Sequence, residues 1–241
     1  MPRRPRVMAV AVALLVCGAV STACGPGAGA GPGARRAEPL TAAELLSVLP
    51  SGKDLPGFVV TARGPAAAAT PSAVASRVAP GHPAECQALV DFELDHGAAH
   101  RPAARVVATV APRSGTSDAR RNVDFGKLHS VALSSHTVEE ASAVLESLRK
   151  AVPLCGGFLV YTLAYGDQDA RVVVGGRPAP AAGDDAVAFD WTVPGIAMEQ
   201  TVPVTVVRTG GVLTAYSGAV PAGVAQGQHR RLRAFLSGSA G

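Results

Sequence analysis

The chain has 241 residues, 48% of them hydrophobic and 17% charged, which is enough apolar material for a sizeable core in one or two domains. Its formal net charge is +4, but Arg3, Arg4 and Arg6 fall in the first 23 residues, where there is no acid, so the remainder has 19 bases against 18 acids. That near balance argues against a nucleic-acid partner, because the basic clusters Arg35-Arg36, Arg120-Arg121 and Arg230-Arg231-Arg233 are not interleaved with aromatics.

Residues 1–23 combine a basic start, an apolar run from Val7 to Val20 and the small residues Ser21-Thr22-Ala23, the three parts of a secretory signal. The run is shorter than the roughly 20 residues that span a hydrocarbon core. Cys24 follows Ala23 directly, and this junction resembles a bacterial lipobox, in which the cysteine is diacylated and becomes the new N-terminus. The aliphatic residue usual three places before the cysteine is replaced by Ser21, and Ser21-x-Ala23 also suits ordinary signal cleavage and simple secretion. Cysteine arithmetic favours the lipid: losing Cys17 leaves Cys24, Cys86 and Cys155, and lipidating Cys24 leaves an even pair for an oxidising compartment. Residues 25–34, all Gly, Pro and Ala, offer no side chain that packs, so residues 24–40 read as a tether.

The domain is expected over 41–238. Thr41-Ala-Ala-Glu44 is a capping box opening a short helix with Leu45, Leu46 and Leu49, and Asp54-Leu-Pro-Gly57 is a turn feeding a strand over 58–61. Residues 63–80, rich in Ala and Pro, are expected to form a loose loop. A short helix follows over 83–90 and carries Cys86. Alternation marks strands at 105–110 and 129–134. Thr137-Val-Glu-Glu140 is a second capping box, and Val138, Ala141, Val144, Leu145, Leu148 and Val152 repeat at helical spacing up to Pro153, delivering Cys155 just past the end. Strands are then predicted at 158–165, 170–174, 186–192, 201–208 and 212–217, with Gly210-Gly211 as a hairpin turn. Pro203 cannot donate a ladder hydrogen bond, which predicts an edge strand or a strand start there. From Pro221 a final helix presents Val224, Ala225, Leu232, Phe235 and Leu236 on one face, while its arginines face solvent, lipid headgroups or a partner. The order predicts one α+β domain, a twisted antiparallel sheet of about six strands packed with three or four helices.

The helix leading into Asp54-Leu-Pro-Gly57, the Cys86-x-x-Leu89 segment, the helix ending at Leu154-Cys155, Gly183-Asp184-Asp185-Ala-Val-Ala-Phe189 and Val206-Val-Arg208-Thr-Gly-Gly-Val212-Leu together resemble actinobacterial extracellular sensor domains. These are the type carried outside the membrane by PknH-like kinases and, without a kinase, by lipoproteins. Over residues 40–238 the resemblance implies a sheet-and-helix fold with a cleft, disulfides, and ligand sensing without catalysis. It supplies no ligand residues, and such domains usually have two disulfides where this chain has cysteines for one. Independently of the resemblance, a Cys86–Cys155 bridge would close a loop of about 70 residues.

Motifs for chemistry are absent from the sequence. Asp91, Glu93 and Asp95 alternate as in a calcium loop, but His96 and Pro102 stand where that loop needs Gly and Glu. His96 and His100 have zinc spacing on a helix that Gly97 and Pro102 weaken. Asp184-Asp185 and Asp167-x-Asp169 fit turns better than acid–base pairs, and no nucleophile elbow or cofactor motif appears. Trp191, alternating with Phe189 and Val187, fits a core position. The sharper alternative is an aromatic wall for a ligand, made with Tyr161 and Tyr216. The expected function is a sensor or ligand-binding lipoprotein, non-catalytic, without cofactor or metal, on the outer face of the cytoplasmic membrane. It would bind a small or apolar ligand. Two alternatives stand beside it: an envelope lipoprotein that docks on another envelope protein without a pocket, and an unrecognised hydrolase.

Overall fold

In the computed structural model the described residues are 38–65, 76–93, 101–113, 127–162, 168–194, 200–221 and 223–238. They all fall in the compact unit Arg35–Gly241. The expected signal, Cys24 and most of the expected tether lie outside them. Leu40 does not: it is 2% exposed, and its N–H donates to Ser135 Oγ.

Both capping boxes form. Helix α1 (Ala42–Ser47) starts with Thr41 Oγ1 accepting from the Glu44 N–H at 3.3 Å while the Glu44 carboxylate accepts from the Thr41 N–H at 2.8 Å. Helix α3 (Val138–Leu154) repeats the arrangement with Thr137 and Glu140, so two otherwise orphaned N–H groups are satisfied at each helix start. Between them a short helical turn, Ala84–Cys86, continues into α2 (Gln87–Glu93). The last helix, α4, spans Val224–Leu236.

Among the described residues the sheet has nine strands rather than about six: β1 (Phe58–Pro65), β2 (Arg77–Val78), β3 (Ala104–Pro112), β4 (Ser130–Ser135), β5 (Phe158–Thr162), β6 (Gln168–Arg177), β7 (Asp185–Val193), β8 (Gln200–Thr209) and β9 (Val212–Ser217). Every strand expected from the sequence joins a single antiparallel ladder in the order β1-β3-β4-β9-β8-β7-β6-β5-β2. A ninth, β2, comes from the stretch expected to be loose: its Arg77 and Val78 pair with Tyr161 and Val160. Extending the ladder to β2 gives the outer edge of β5 partners for its backbone groups.

Side chains alternate across the sheet, so each strand feeds two cores. On one face α2 and α3 pack over Phe158, Val160, Val172, Val174, Val187, Phe189, Trp191, Val204, Val206 and Leu213. On the other, α1 and α4 cover Val106, Ala108, Val110, Val131, Leu133, Val207, Val212 and Tyr216. The Cys86–Cys155 disulfide, with both residues buried, ties the α2 segment to the end of α3.

The position of Pro203 corrects the expectation of an edge strand, because β8 lies between β7 and β9. Pro203 pairs with Asp190 on β7, but pairing to β9 stops at Val204↔Ser217, and the Pro203 carbonyl accepts from the Gly218 N–H at 2.7 Å. Pro203 therefore falls opposite Gly218, just past the end of β9, where the ladder keeps the one hydrogen bond that needs no proline donor. The two-residue turn between β8 and β9 uses its glycines differently. Gly210 sits at φ 59°, whereas at Gly211 a Cβ would run into the His136 carbonyl oxygen.

Candidate functional site

The register shows where helix cover stops on the α2–α3 face. One row of neighbours runs Val187–Val206–Ala215–Ala132–Val107, and the next runs Phe189–Val204–Ser217–Ser130–Thr109–Thr61. At the β7–β8 end these side chains are large, apolar and buried under α3. From β9 outward these two rows become Ala, Ser and Thr apart from Val107, and α3, which packs over β6, β7 and β8, reaches β9 at Leu213 and not beyond it among the described residues. Burial follows the change: along β3 and β4 the residues facing α1 and α4 (Val106, Ala108, Val110, Val131, Leu133) are buried, while on the other side Val107, Thr109, Ala111, Ser130 and Ser134 are only partly so and the small Ala132 between them is 9% exposed. Val59 on the edge strand is 47% exposed. The result is a partly open strip of sheet, called the trough below, with Ala132 and Ala215 in its middle, a line of hydroxyls from Ser217 to Thr61, and apolar residues Val59, Val107 and Ala111 on its outer side.

The inner end of the trough is charged. A third row runs Arg208–Leu213–Ser134–Arg105, which places Arg105 on the trough face of β3, two residues along from Val107. Glu93, the last residue of α2, acts on Arg105 through its charge. Burial pushes the Glu93 carboxyl up to about 7, against the opposing pull of the Arg105 guanidinium. Burial likewise lowers the pKa of Arg105, and Glu93 partly offsets this.

The three aromatics expected to form one wall are not brought together. Trp191 lies in the α3 core, 7% exposed, its ring edge-on to Phe158 at 6.1 Å between centroids. Tyr161 is on the opposite face of the outer strand β5, paired with Arg77 and Asp169. Tyr216 is fully buried beneath α1 and α4, and burial raises the pKa of its phenol.

The paired acids take structural roles. Asp184 accepts the Gly210 N–H at 2.7 Å and pairs with Arg233 and Arg208. Burial would raise its carboxyl, but the Gly210 hydrogen bond and the charges of Arg233 and Arg208 outweigh that and hold it below the usual carboxylate range. Asp185 binds Arg149 of α3 at 2.6 Å. Arg231 also turns inward: it pairs with Asp54 and donates to the Leu49 carbonyl, and its neighbour Gln228 donates to the Val48 carbonyl at 2.8 Å, so α4 clamps the end of α1. Of the α4 arginines read as outward-facing, two are thus tied to acids of the domain.

Asp95, His96, His100 and Asp167 lie outside the described residues, as does the side chain of Asp169. Among the described residues no group of three or more His, Cys, Asp or Glu side chains is placed to hold a metal ion, and no helix is long and apolar enough to cross a membrane. The trough residues Ala132, Ala215, Ser130 and Ser217 were not singled out from sequence. Their signal is the alternation of small with large side chains along 130–134 and 215–217, which becomes legible only once the register lines the small ones up.

Comparison with known proteins adds little to this geometry. No protein-family model matches the chain, and no curated protein matches it. Among solved structures, the crystal structure of the extracellular domain of PknH from Mycobacterium tuberculosis is similar at 11% sequence identity and a TM-score of 0.48, over 84% of this chain and 100% of that one. That is a weak resemblance of fold.

Proposed function

We propose that this chain is an extracytoplasmic lipoprotein, anchored through Cys24, whose domain binds a ligand in the trough and performs no chemistry on it. The observation that carries the binding reading is the half-covered sheet face. It is a partly exposed strip with apolar residues along its outer side and a row of hydroxyls, built on strands whose other face is locked into a core, so its backbone is held before a ligand arrives. The Cys86–Cys155 disulfide supports the compartment, since such bridges persist where the surroundings are oxidising. Asp54, Asp184 and Asp185 are engaged in ion pairs that hold elements together, which supports the non-catalytic reading.

The test is native mass spectrometry with lipid and small-molecule extraction on the protein purified from its own host. A bound species of defined mass, lost when Ala132 is replaced by Phe, is the expected result. Recovery of empty protein under gentle conditions would overturn it. Fractionation tests the anchor separately: Cys24→Ala should move the protein from the membrane to the soluble fraction, and unchanged membrane association would remove Cys24 from the account.

A further inference from the structure

The trough has a direction. Along β3 the residues on its face read Arg105, Val107, Thr109 and Ala111, so one end is cationic and the rest apolar or hydroxylic over roughly 20 Å of strand. The cationic end is the covered one, because Arg105 lies in the row of Ser134 and Leu213, and Leu213 is buried in the α2–α3 core. A guanidinium there cannot shed its proton and is more stable with an anion hydrogen-bonded to it than with solvent partly removed. Glu93 acts on Arg105 through its charge, and burial disfavours the ionised form of that carboxyl.

We infer that Arg105 anchors the anionic group of the ligand, and that the ligand is a small amphiphile with an apolar body carrying one carboxylate, sulfonate or phosphate. The anion lies at the covered end on Arg105 and Ser134, and the body extends outward over Ala132, Val107 and Thr109. This rests on the trough being the binding surface. The Glu93 carboxyl, already disfavoured as an anion by burial, tolerates a second anion nearby better than an ordinary carboxylate would.

Two fluorescent probes of nearly the same shape separate the parts of the inference: anilinonaphthalene sulfonate, which carries the anion, and N-phenylnaphthylamine, which lacks it. Both are titrated against the full exported chain carrying Cys24→Ser. The wild-type trough should bind the sulfonate more tightly. Arg105→Gln should raise its Kd about 10-fold or more and leave the neutral probe unchanged, and Glu93→Gln should tighten the sulfonate alone. Equal weakening of both probes by Arg105→Gln, or no preference for the sulfonate in the wild type, overturns the anchor. Ala132→Phe should abolish both probes. If it and the milder Thr109→Trp change neither, the trough itself is not the binding surface, whatever Arg105 does. Arg105→Lys, which keeps the charge, should retain most of the preference and so separates a charge effect from loss of folding.

Discussion

Removing the disulfide is the most quantitative perturbation the fold offers. Cys86 and Cys155 are 69 residues apart in sequence and 0% and 1% exposed, and the enclosed loop contains β3, β4 and all of α3. If the bridge acts by limiting the unfolded chain, closing a loop of about 70 residues contributes roughly 4 kcal/mol at 25 °C. Set against a net stability of about 5–15 kcal/mol, that is a large share. The double variant Cys86→Ala/Cys155→Ala should therefore lower the midpoint of equilibrium urea unfolding by roughly 1–2 M, given a slope of about 2–3 kcal/mol/M. The slope itself should steepen, because an uncrosslinked denatured chain exposes more surface. Wild-type protein unfolded in a reducing agent should match the double variant, since both have lost the same constraint. A loss below about 1 kcal/mol with an unchanged slope would refute the chain-entropy reasoning and leave only the local packing of two small sulfur-bearing side chains.

Three further perturbations have signs fixed by the structure. Asp184→Asn should destabilise by about 1–2 kcal/mol at pH 7. The folded-state pKa of Asp184 lies below its unfolded value, so its contribution is complete above roughly pH 4 and fades as the pH falls through the folded value; wild type and variant should converge in acid unfolding curves near pH 2. Glu93 has the opposite sign. Its carboxyl is raised to about 7 in the fold, so the folded state holds a proton that the unfolded chain has given up, and stability falls as the pH rises between about 4.5 and 7. Glu93→Gln should then stabilise on the order of 2 kcal/mol at pH 8 and not at all at pH 4.5, as melting at the two pH values would report. Two glycines should separate cleanly in thermal melts. Gly211→Ala should cost about 2 kcal/mol or more, because its Cβ meets the His136 carbonyl, while Gly227→Ala inside α4, with open space around it, should gain about 0.5–1 kcal/mol.

Local structure was largely legible in the sequence because its signals are local. A Thr three residues before a Glu caps a helix wherever it falls, which is why α1 and α3 start at Thr41 and Thr137 as expected. Alternation likewise identified the strands. Partnership was less legible. Nothing within 200–209 distinguishes a central strand from an edge, and Pro203 pointed to the wrong one, because the end of β9 that makes its missing donor harmless lies 14 residues away. The short β2 carries no pattern at all; its two residues become a strand through pairing with β5. The aromatic wall failed for the same reason. Tyr161, Trp191 and Tyr216 are all strand residues, but which face each occupies depends on register, and register placed them on different faces or in different cores.

The open half of the sheet is itself encoded by what the side chains would gain from cover. A helix laid over Phe189, Val204 and Val206 removes large apolar surfaces from water at about 25 cal/mol per Å². Moved one or two strands outward, the same helix would meet Ser217, Ser130, Ala215 and Ala132, gaining little from the alanines and burying hydroxyls that need partners. Cover is thus favourable as far as β8 and unfavourable beyond β9, while the reverse face of the same strands, with Val131, Leu133, Val212 and Tyr216, holds α1 and α4 firmly. Ser130, Ala132, Ala215 and Ser217 do for the trough what Val131, Leu133 and Tyr216 on the other face do for the core. Restoring large apolar side chains at Ala132 and Ala215 would therefore close the trough without disturbing the fold beneath it, and that separation of roles is what lets binding be tested apart from folding.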